Sequence, residues 1–186
     1  VQAIRGAITD VNGVPIATTV IAKNLTTDQT KVSDPAKTAA AISAIVGVDA
    51  KVLQKRLTGS KAFNYVAKDL DPDVAKRVIE LGLPGIYSES TVKRVYPMGT
   101  LAANLIGFVG TEGHGLGGLE YSLDENLAGV DGSTTGEIVH GHFIPASERN
   151  RVDAVNGATV RLTIDQDVQA LAERTLARQI KKSGAE

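Results

Sequence analysis

The sequence predicts an α+β fold, with an antiparallel sheet built from segments near both ends and a small helical subdomain inserted between them. Residues 158–164 alternate between apolar and polar side chains, and residues 18–22 are rich in β-branched side chains. Both patterns are typical of strands. Between these segments, Asp34-Pro35 and Asp71-Pro72 each place a capping side chain before a proline, which indicates the start of a helix.

The N-terminal third of the chain predicts strand, then two helices, then strand. Residues 1–28 are expected to be extended, with a tight hairpin turn at Asn12-Gly13 because both residue types tolerate positive φ. Helices are predicted over 33–47 and 49–59, and each ends at a glycine. Residues 63–67 predict a short strand.

A third helix, predicted over 71–82, completes the helical subdomain, which we assign to residues 33–82. The chain is then extended through Tyr96-Pro97, because proline disfavours helix for the residue before it. Two further helices are predicted, over 98–106 and over 118–129.

The C-terminal part predicts a hairpin, a strand and the longest helix of the chain. Residues 132–144 are rich in Gly and Thr and predict the hairpin, and residues 158–164 form the strand. Asp165 caps the helix. Its apolar residues recur at helical spacing: Val168, Leu171, Ala172, Leu176 and Ile180.

Composition excludes several classes of function. With 20 Lys+Arg and 21 Asp+Glu, the net charge of −1 creates no field that favours nucleic acid or anionic lipid. The absence of Cys excludes disulfides, thiolate metal sites and Cys nucleophiles. The longest nearly apolar run, residues 39–48, is shorter than the roughly 20 residues of a membrane helix. No signal peptide opens the chain, so we expect a fragment whose anchor and partner domain lie outside it.

Three blocks of residues resemble, in order, the motifs of the non-catalytic pedestal of class B penicillin-binding proteins, the transpeptidases that cross-link peptidoglycan. The first block is 5–17, in which Val11 replaces a usual arginine, the second is 94–110, and the third is 115–120 with the helix to Gly129. Residues 157–169 resemble the segment that leads such proteins into their transpeptidase domain. The sequences around residues 113–115 and 144–150 are most similar to those of division-type members.

The resemblance implies a domain organisation without chemistry of its own. Residues 1–164 would form the elongated pedestal or dimerisation domain, and helix 165–186 would lead towards a transpeptidase domain that this sequence lacks. The parent protein would be a serine-type D,D-transpeptidase of peptidoglycan synthesis and septum formation. No catalytic residue, cofactor or metal is expected in this chain.

The resemblance also implies partners and a location. A pedestal raises the catalytic domain above the membrane and offers surfaces to its own transpeptidase domain, to the lipid-linked glycan polymerase and to other cell-wall or division proteins. The expected location is the extracytoplasmic face of the cytoplasmic membrane, with membrane contact only through an anchor outside this chain. No nucleic acid partner is expected.

The candidate structural or interaction residues come from the three blocks. Arg5, Arg94 and Glu120 lie beside apolar runs and turn glycines, where a charge tolerates burial only if it is paired. We hypothesise that Glu120 accepts hydrogen bonds from Arg5 or Arg94 and so links the first strand to the third block. The alternative is that these residues are solvated surface charges. The candidates are Arg5, Gly6, Asp10, Asn12, Gly13, Arg94, Tyr96, Pro97, Gly99, Gly107, Gly118 and Glu120.

Two other patterns define alternative functions. Ser90-Thr-Val-Lys93 fits the Ser-x-x-Lys pattern of a free-standing serine acyl-transferase. However, it lies in a predicted extended segment, and no Ser-x-Asn or Lys-Thr-Gly follows, so we interpret it as coincidence. The stretch Gly113 to Gly118 fits the dinucleotide fingerprint of a nucleotide-binding module, but no alternating βαβ pattern surrounds it. A tight glycine loop before a helix is the preferred interpretation.

Two metal-site patterns are also weak. His140 and His142 lie on one face of a predicted strand and could hold zinc with His114 as a third ligand, but without thiolates a surface pair is the preferred interpretation. The turn at residues 10–13 lacks the number of ligands that calcium requires.

Overall fold

A computed structural model describes residues 2–136, 138–139, 142–143 and 149–184. The chain divides into two compact units. Unit 1 consists of Val1–Thr19 and Arg94–Glu186, and unit 2 consists of Val20–Lys93. Helices and sheets occur together, which confirms the predicted α+β class.

The secondary structure has the following bounds. The strands are β1 (Ile8–Thr9), β2 (Pro15–Thr27), β3 (Asn64–Leu70), β4 (Ile86–Val95), β5 (Ser133–Thr135), β6 (Ile138–Val139), β7 (His142–Phe143), β8 (Arg149–Val152) and β9 (Val160–Arg161). The α-helices are α1 (Pro35–Val46), α2 (Ala50–Leu57), α3 (Pro72–Ile79), α4 (Ala103–Ile106), α5 (Gly118–Ser122), α6 (Asp124–Leu127) and α7 (Gln166–Ser183).

Unit 2 packs three helices against strands. Within it, β2 pairs with β3 in antiparallel orientation and also with β4. The side chains of Asp34, Asp49 and Asp71 accept hydrogen bonds from the first turns of α1, α2 and α3, which confirms the predicted helix starts. The core is apolar and includes Leu25 and Val66. The predicted helical segment 33–82 therefore lies in unit 2 together with the strands on either side of it.

Unit 1 is built around the short strand β1. β1 pairs with the first residues of β2 in antiparallel orientation, with Ile8 opposite Ala17. It pairs with β9 in parallel orientation, with Ile8 opposite Val160, so the prediction of an antiparallel sheet does not hold for β9. A parallel pair needs a long connection, and here most of unit 1 lies between the two strands. Ile8, Ile106 and Leu127 are buried in its core.

The remaining strands of unit 1 form two small antiparallel pairs. β6 pairs with β7, which confirms a hairpin within the stretch predicted at 132–144. β5 pairs instead with β8. Among the described residues, no helix has the length and apolar content that are needed to cross a membrane.

The hairpin between β1 and β2 at Asn12-Gly13 is correctly predicted, and one of the two residues that tolerate positive φ adopts it. Gly13 has φ +85°, whereas Asn12 is not in the left-handed region. The Asp10 carboxylate organises the turn, because its Oδ1 accepts hydrogen bonds of 2.8 Å from the N–H groups of Asn12 and Val14. A side chain that bonds to the backbone two residues further along favours such a turn.

The helices and strand predicted in unit 1 are shorter or interrupted. The helix predicted over 98–106 is reduced to α4, because Gly99 and Ala102 have φ of +60° and +50° and interrupt the helix. The helix predicted over 118–129 divides into α5 and α6 at Leu123, which has φ −114° and packs on the core. Of the predicted strand 158–164, only β9 is regular. Beyond β9, the Leu162 N–H and the Ile164 carbonyl continue the bonding to Thr9 and Val11, whereas the Ala158 N–H donates to the Asn126 carbonyl.

Gly6 provides a test of the close backbone packing in unit 1. Its N–H donates to the Leu127 carbonyl at 2.8 Å, and a Cβ at Gly6 would overlap with the carbonyl of Ala158. Gly6→Ala is expected to lower the free energy of unfolding by about 3 kcal/mol, measured by urea denaturation. Gly99→Ala is the control, because Gly99 faces open space and should cost only about 1 kcal/mol of backbone strain. Equal losses in the two variants would contradict the packing argument.

Candidate functional site

The three sequence blocks meet in unit 1 around the side chain of Glu120. Arg5 precedes β1, Arg94 lies near the end of β4, and Glu120 lies in the first turn of α5. The Glu120 side chain is fully buried, and those of Arg5 and Arg94 are 7% and 4% exposed. We call these three residues with Asp124 the ion-pair cluster.

Each carboxylate oxygen of Glu120 accepts a hydrogen bond from a different arginine. Arg5 Nε lies 2.8 Å from Glu120 Oε2, and Arg94 Nε lies 2.8 Å from Glu120 Oε1. The predicted link from Glu120 to an arginine is therefore confirmed for both arginines. The alternative of solvated surface charges is wrong, because all three side chains are removed from solvent.

Arg5 also fixes the third block through its other nitrogens. Nη2 donates to the Glu120 main-chain carbonyl at 2.8 Å, and Nη1 donates to Asp124 Oδ1 at 2.6 Å and to the Gly113 carbonyl at 3.3 Å. Asp124 Oδ1 also accepts from the Gly115 N–H at 2.8 Å. Burial raises the pKa of Asp124, but the Gly115 N–H and the Arg5 guanidinium outweigh burial and hold the pKa below its ordinary value. The cluster thus balances two guanidinium groups with two carboxylates.

Arg94 holds the first block against the second. Its Nη1 donates to the Gly6 carbonyl at 2.7 Å and to Thr19 Oγ1 at 3.1 Å. The Tyr96 hydroxyl donates to Glu120 Oε1 at 3.4 Å. Burial and the negative charge of Glu120 raise the pKa of Tyr96, so its hydroxyl keeps its proton and remains a donor.

The block glycines allow backbone segments to approach each other directly. A Cβ at Gly107 would overlap with the carbonyl of Gly117, and Gly118 has φ +56° and lies against the carbonyl of Leu105. The glycine-rich stretch 113–118 is therefore explained by packing within the chain. The helix that follows it has five residues, so the geometry gives no support to a nucleotide-binding turn.

The first block holds the start of α7. Asp10 Oδ2 accepts a hydrogen bond of 3.4 Å from the Gln166 N–H, and Asn12 Nδ2 donates to Asp165 Oδ2 at 3.0 Å. Burial raises the pKa of the Asp10 carboxyl, but hydrogen bonds from Val14, Asn12 and Gln166 outweigh burial and hold it below its ordinary value. Asp10 therefore remains ionised at neutral pH and continues to accept these bonds.

Pro97 and Gly99 are not part of the ion-pair cluster. They lie in an exposed turn in which the Gly99 N–H donates to the Tyr96 carbonyl at 2.9 Å. Their conformational preferences shape the chain between β4 and α4, but neither contributes a side-chain hydrogen bond to Glu120.

Sequence patterns do not identify Asp124 or Thr19 as partners of the arginines. Asp124 follows Glu120 by four residues, and this helical spacing is the signal that could have identified it. Thr19 offers no such signal, because only the tertiary fold brings it to Arg94.

The Ser-x-x-Lys pattern lies within β4, as expected for an extended segment. Side chains alternate between the two faces of a strand, so Ser90 and Lys93, three residues apart, point to opposite faces. Ser90 Oγ instead accepts a hydrogen bond of 2.8 Å from Lys23 Nζ. Lys93, the lysine of the Ser-x-x-Lys pattern, is therefore not the partner of Ser90.

Of the predicted histidine pair, His140 and the His142 side chain lie outside the described residues. His114 is exposed, and its Nδ1 lies 3.4 Å from Asp124 Oδ2. In the part of the chain that the structure describes, no three His, Cys, Asp or Glu side chains are grouped so that they could hold a metal ion.

Removal of the shared carboxylate tests the ion-pair cluster. Glu120→Ala leaves two buried guanidinium groups without their shared partner and is expected to lower the free energy of unfolding by about 3–5 kcal/mol. Urea denaturation measures the loss. Glu125→Ala removes the same charge from an exposed position on α6 and should stay within about 0.5 kcal/mol of the parent protein. If the two variants were equally stable, the cluster would not contribute to folding.

Comparison with known proteins places this geometry in a family. The described blocks fall within a match to the penicillin-binding protein dimerisation domain over residues 1–162. The chain is 45% identical over 138 residues to penicillin-binding protein PbpB of Mycolicibacterium smegmatis, covering 74% of this chain and 21% of PbpB. It is 35% identical over 188 residues to the probable peptidoglycan D,D-transpeptidase PenA of Neisseria meningitidis, covering 96% of this chain and 32% of PenA.

A solved structure has the same fold. It is penicillin-binding protein PBP2 in complex with MreC from Helicobacter pylori, with a TM-score of 0.74 and 18% identity over 96% of this chain and 38% of PBP2. The chain spans about a fifth to a third of the length of the two curated relatives. With the family match over nearly all of its residues, the chain belongs to the penicillin-binding protein dimerisation domain family.

Proposed function

We propose that this chain is the non-catalytic pedestal of a peptidoglycan D,D-transpeptidase that acts in cell-wall synthesis and septum formation. Residues 1–164 form the pedestal, and residues 165–186 lead into the transpeptidase domain of the whole protein. The observation that carries the proposal is that the charged residues of the blocks pair with one another: Arg5 and Arg94 both donate hydrogen bonds to Glu120. Such residues support a structure and are not available to a substrate.

The ion-pair cluster suits a supporting role because it joins segments that are far apart in the sequence. Arg5 and Glu120 are separated by 115 positions, and Arg94 and Glu120 by 26. Two short charged hydrogen bonds in a buried site fix one arrangement of these segments, because any other arrangement leaves a charge unpaired. Unit 1 would thereby hold a defined shape under its catalytic domain.

Helix α7 supports the connection to a following domain. None of its 18 residues is buried, and its apolar residues remain exposed: Val168 at 65%, Leu171 at 57%, Leu176 at 62% and Ile180 at 43%. A helix with an apolar stripe ordinarily packs that stripe against another element. The transpeptidase domain of the whole protein is the partner that we propose for it.

The relatives support a proposal for the other partners and for the location. PBP2 of Helicobacter pylori forms a complex with MreC, which supports contact between this pedestal and other cell-wall or division proteins. We include the lipid-linked glycan polymerase among these partners. The proposed location is the extracytoplasmic face of the cytoplasmic membrane.

Labelling with fluorescent penicillin tests the absence of chemistry in this chain. The 186-residue chain should not be labelled, because the Ser-x-x-Lys pattern lies in a strand, where Lys93 does not face Ser90. The longer protein that continues beyond Glu186 should be labelled on a serine of its later part, and Ser90→Ala should not change that labelling. A covalent adduct on Ser90 in either protein would overturn the proposal.

Substitution of the α7 stripe tests the proposed connection. Leu171→Ser with Leu176→Ser should leave the melting temperature of the 186-residue chain within about 2 °C, because both side chains are exposed there. In the longer protein the same pair should lower the melting temperature by roughly 5 °C or more, since these side chains would be buried against the next domain. Glu173 is avoided because it bonds to the Ala102 N–H. An unchanged longer protein would argue against this packing.

A further inference from the structure

The chain contains two Asn-Gly pairs in very different surroundings: Asn12-Gly13 and Asn156-Gly157. In such a pair the glycine backbone nitrogen can attack the carbonyl carbon of the asparagine side chain, because glycine has no Cβ to hinder the approach. The reaction requires the side chain to leave its native hydrogen bonds and the glycine nitrogen to become accessible. The two sites differ in both respects.

Asn12-Gly13 lies in the exposed turn between β1 and β2. Gly13 has φ +85°, and no atom lies within 4 Å of the position that a Cβ would occupy. The Gly13 N–H donates to the Asp10 carbonyl at 3.1 Å, a bond that belongs to the turn itself and is lost when the turn fluctuates. Within the described part of the chain, the hydrogen bond that holds this side chain runs from Asn12 Nδ2 to Asp165 Oδ2 at 3.0 Å.

Asn156-Gly157 is held on both sides by Ile4. Asn156 Oδ1 accepts a hydrogen bond of 2.9 Å from the Ile4 N–H, and the Gly157 N–H donates to the Ile4 carbonyl at 2.9 Å. A Cβ at Gly157 would overlap with the carbonyl of Leu127, so the backbone here is enclosed by other segments. Attack at this site requires the release of the first residues of unit 1.

We propose that Asn12 is a site of spontaneous deamidation that weakens the attachment of α7 to the β1–β2 turn, while Asn156 is protected by the fold. The Gly13 nitrogen loses its proton and forms a bond to Asn12 Cγ. The Cγ–Nδ2 bond breaks, and the nitrogen leaves as ammonia with that proton. A five-membered imide remains. Water then opens either of its two carbonyls and gives aspartate or isoaspartate, so one water is gained for each ammonia lost.

In the product, the attraction between residue 12 and Asp165 at the start of α7 becomes a repulsion. A carboxylate oxygen takes the place of the amide donor that lay 3.0 Å from Asp165 Oδ2. Asp165 also accepts the N–H groups of Asp167 and Val168 as the N-cap of α7. Two carboxylates at this separation repel each other, so the bond from Asn12 to the helix is lost. The hydrogen bond from the Gln166 N–H to Asp10 Oδ2 is then the side-chain link that remains. This inference does not depend on the proposed function.

Peptide mapping by mass spectrometry tests the site of reaction. The folded chain is incubated at mildly alkaline pH, and the mass change from amide to acid is followed at both asparagines. Asn12 should react at least about ten-fold faster than Asn156 in the folded chain, and the two rates should converge in urea, where the protection that native contacts give is removed. Equal rates in the folded chain, or faster reaction at Asn156, would overturn the proposal.

A charge exchange tests the consequence for α7. Asn12→Asp should increase hydrogen exchange at the first amides of α7 by about ten-fold, because the link becomes a repulsion. Asn12→Asp with Asp165→Asn restores one amide and one carboxylate in exchanged positions and should return exchange to the parent rate, since Asn and Asp are comparable N-caps. Asp165→Asn alone is the control for the cap. If the double variant exchanges as fast as Asn12→Asp, the repulsion is not the cause.

Discussion

The structure of unit 1 depends on one buried carboxylate that is shared by two guanidinium groups. Glu120 is inaccessible to solvent, and an unpaired charge in such a position costs several kcal/mol. The two Nε–H groups satisfy it at 2.8 Å each. Both Nη groups of Arg5 and Nη1 of Arg94 also donate, to main-chain carbonyls, Asp124 and Thr19, whereas Arg94 Nη2 is buried without a partner among the residues that the structure describes. The need to pair the buried carboxylate with the guanidinium groups decides which segments of the chain must meet.

The block glycines allow close contacts between backbone segments. A Cβ at Gly107 or Gly118 would overlap with a neighbouring backbone carbonyl, so the end of α4 and the start of α5 lie in direct backbone contact. Gly118 and Glu120 both lie in α5, so the glycine contact and the ion-pair cluster meet in this helix. These contacts within the chain explain why charged residues and glycines occur together in the blocks.

The first block has a second role at the start of α7. The Asp10 carboxylate forms the β1–β2 turn and also accepts the Gln166 N–H, while Asn12 bonds to the N-cap of α7. The helix that we propose to lead into the catalytic domain is thus fastened to the turn that β1 requires for folding. A movement of α7 would therefore disturb the hydrogen bonds of the turn, and a chemical change in the turn would alter the hydrogen bonds at the start of α7.

Local sequence patterns determined the elements whose signals are complete within a few residues. The aspartate caps predicted α1, α2, α3 and α7, because a capping side chain and a helix start need only adjacent residues. The order of the three blocks predicted the family, and charges beside apolar runs predicted the bond from Glu120 to an arginine. The structural role of the charged residues and glycines in the blocks could therefore be predicted from the sequence.

Tertiary structure alone decided how the elements are joined. The parallel pairing of β1 with β9, the division of α5 from α6 and the bond from Asn12 to Asp165 each depend on residues far apart in the chain. A local sequence pattern does not encode such contacts. A pairing between strands more than a hundred residues apart depends on how the helices and strands between them pack. Likewise, only the fold distinguishes the exposed Asn12-Gly13 from the enclosed Asn156-Gly157, because the two pairs are identical as sequence.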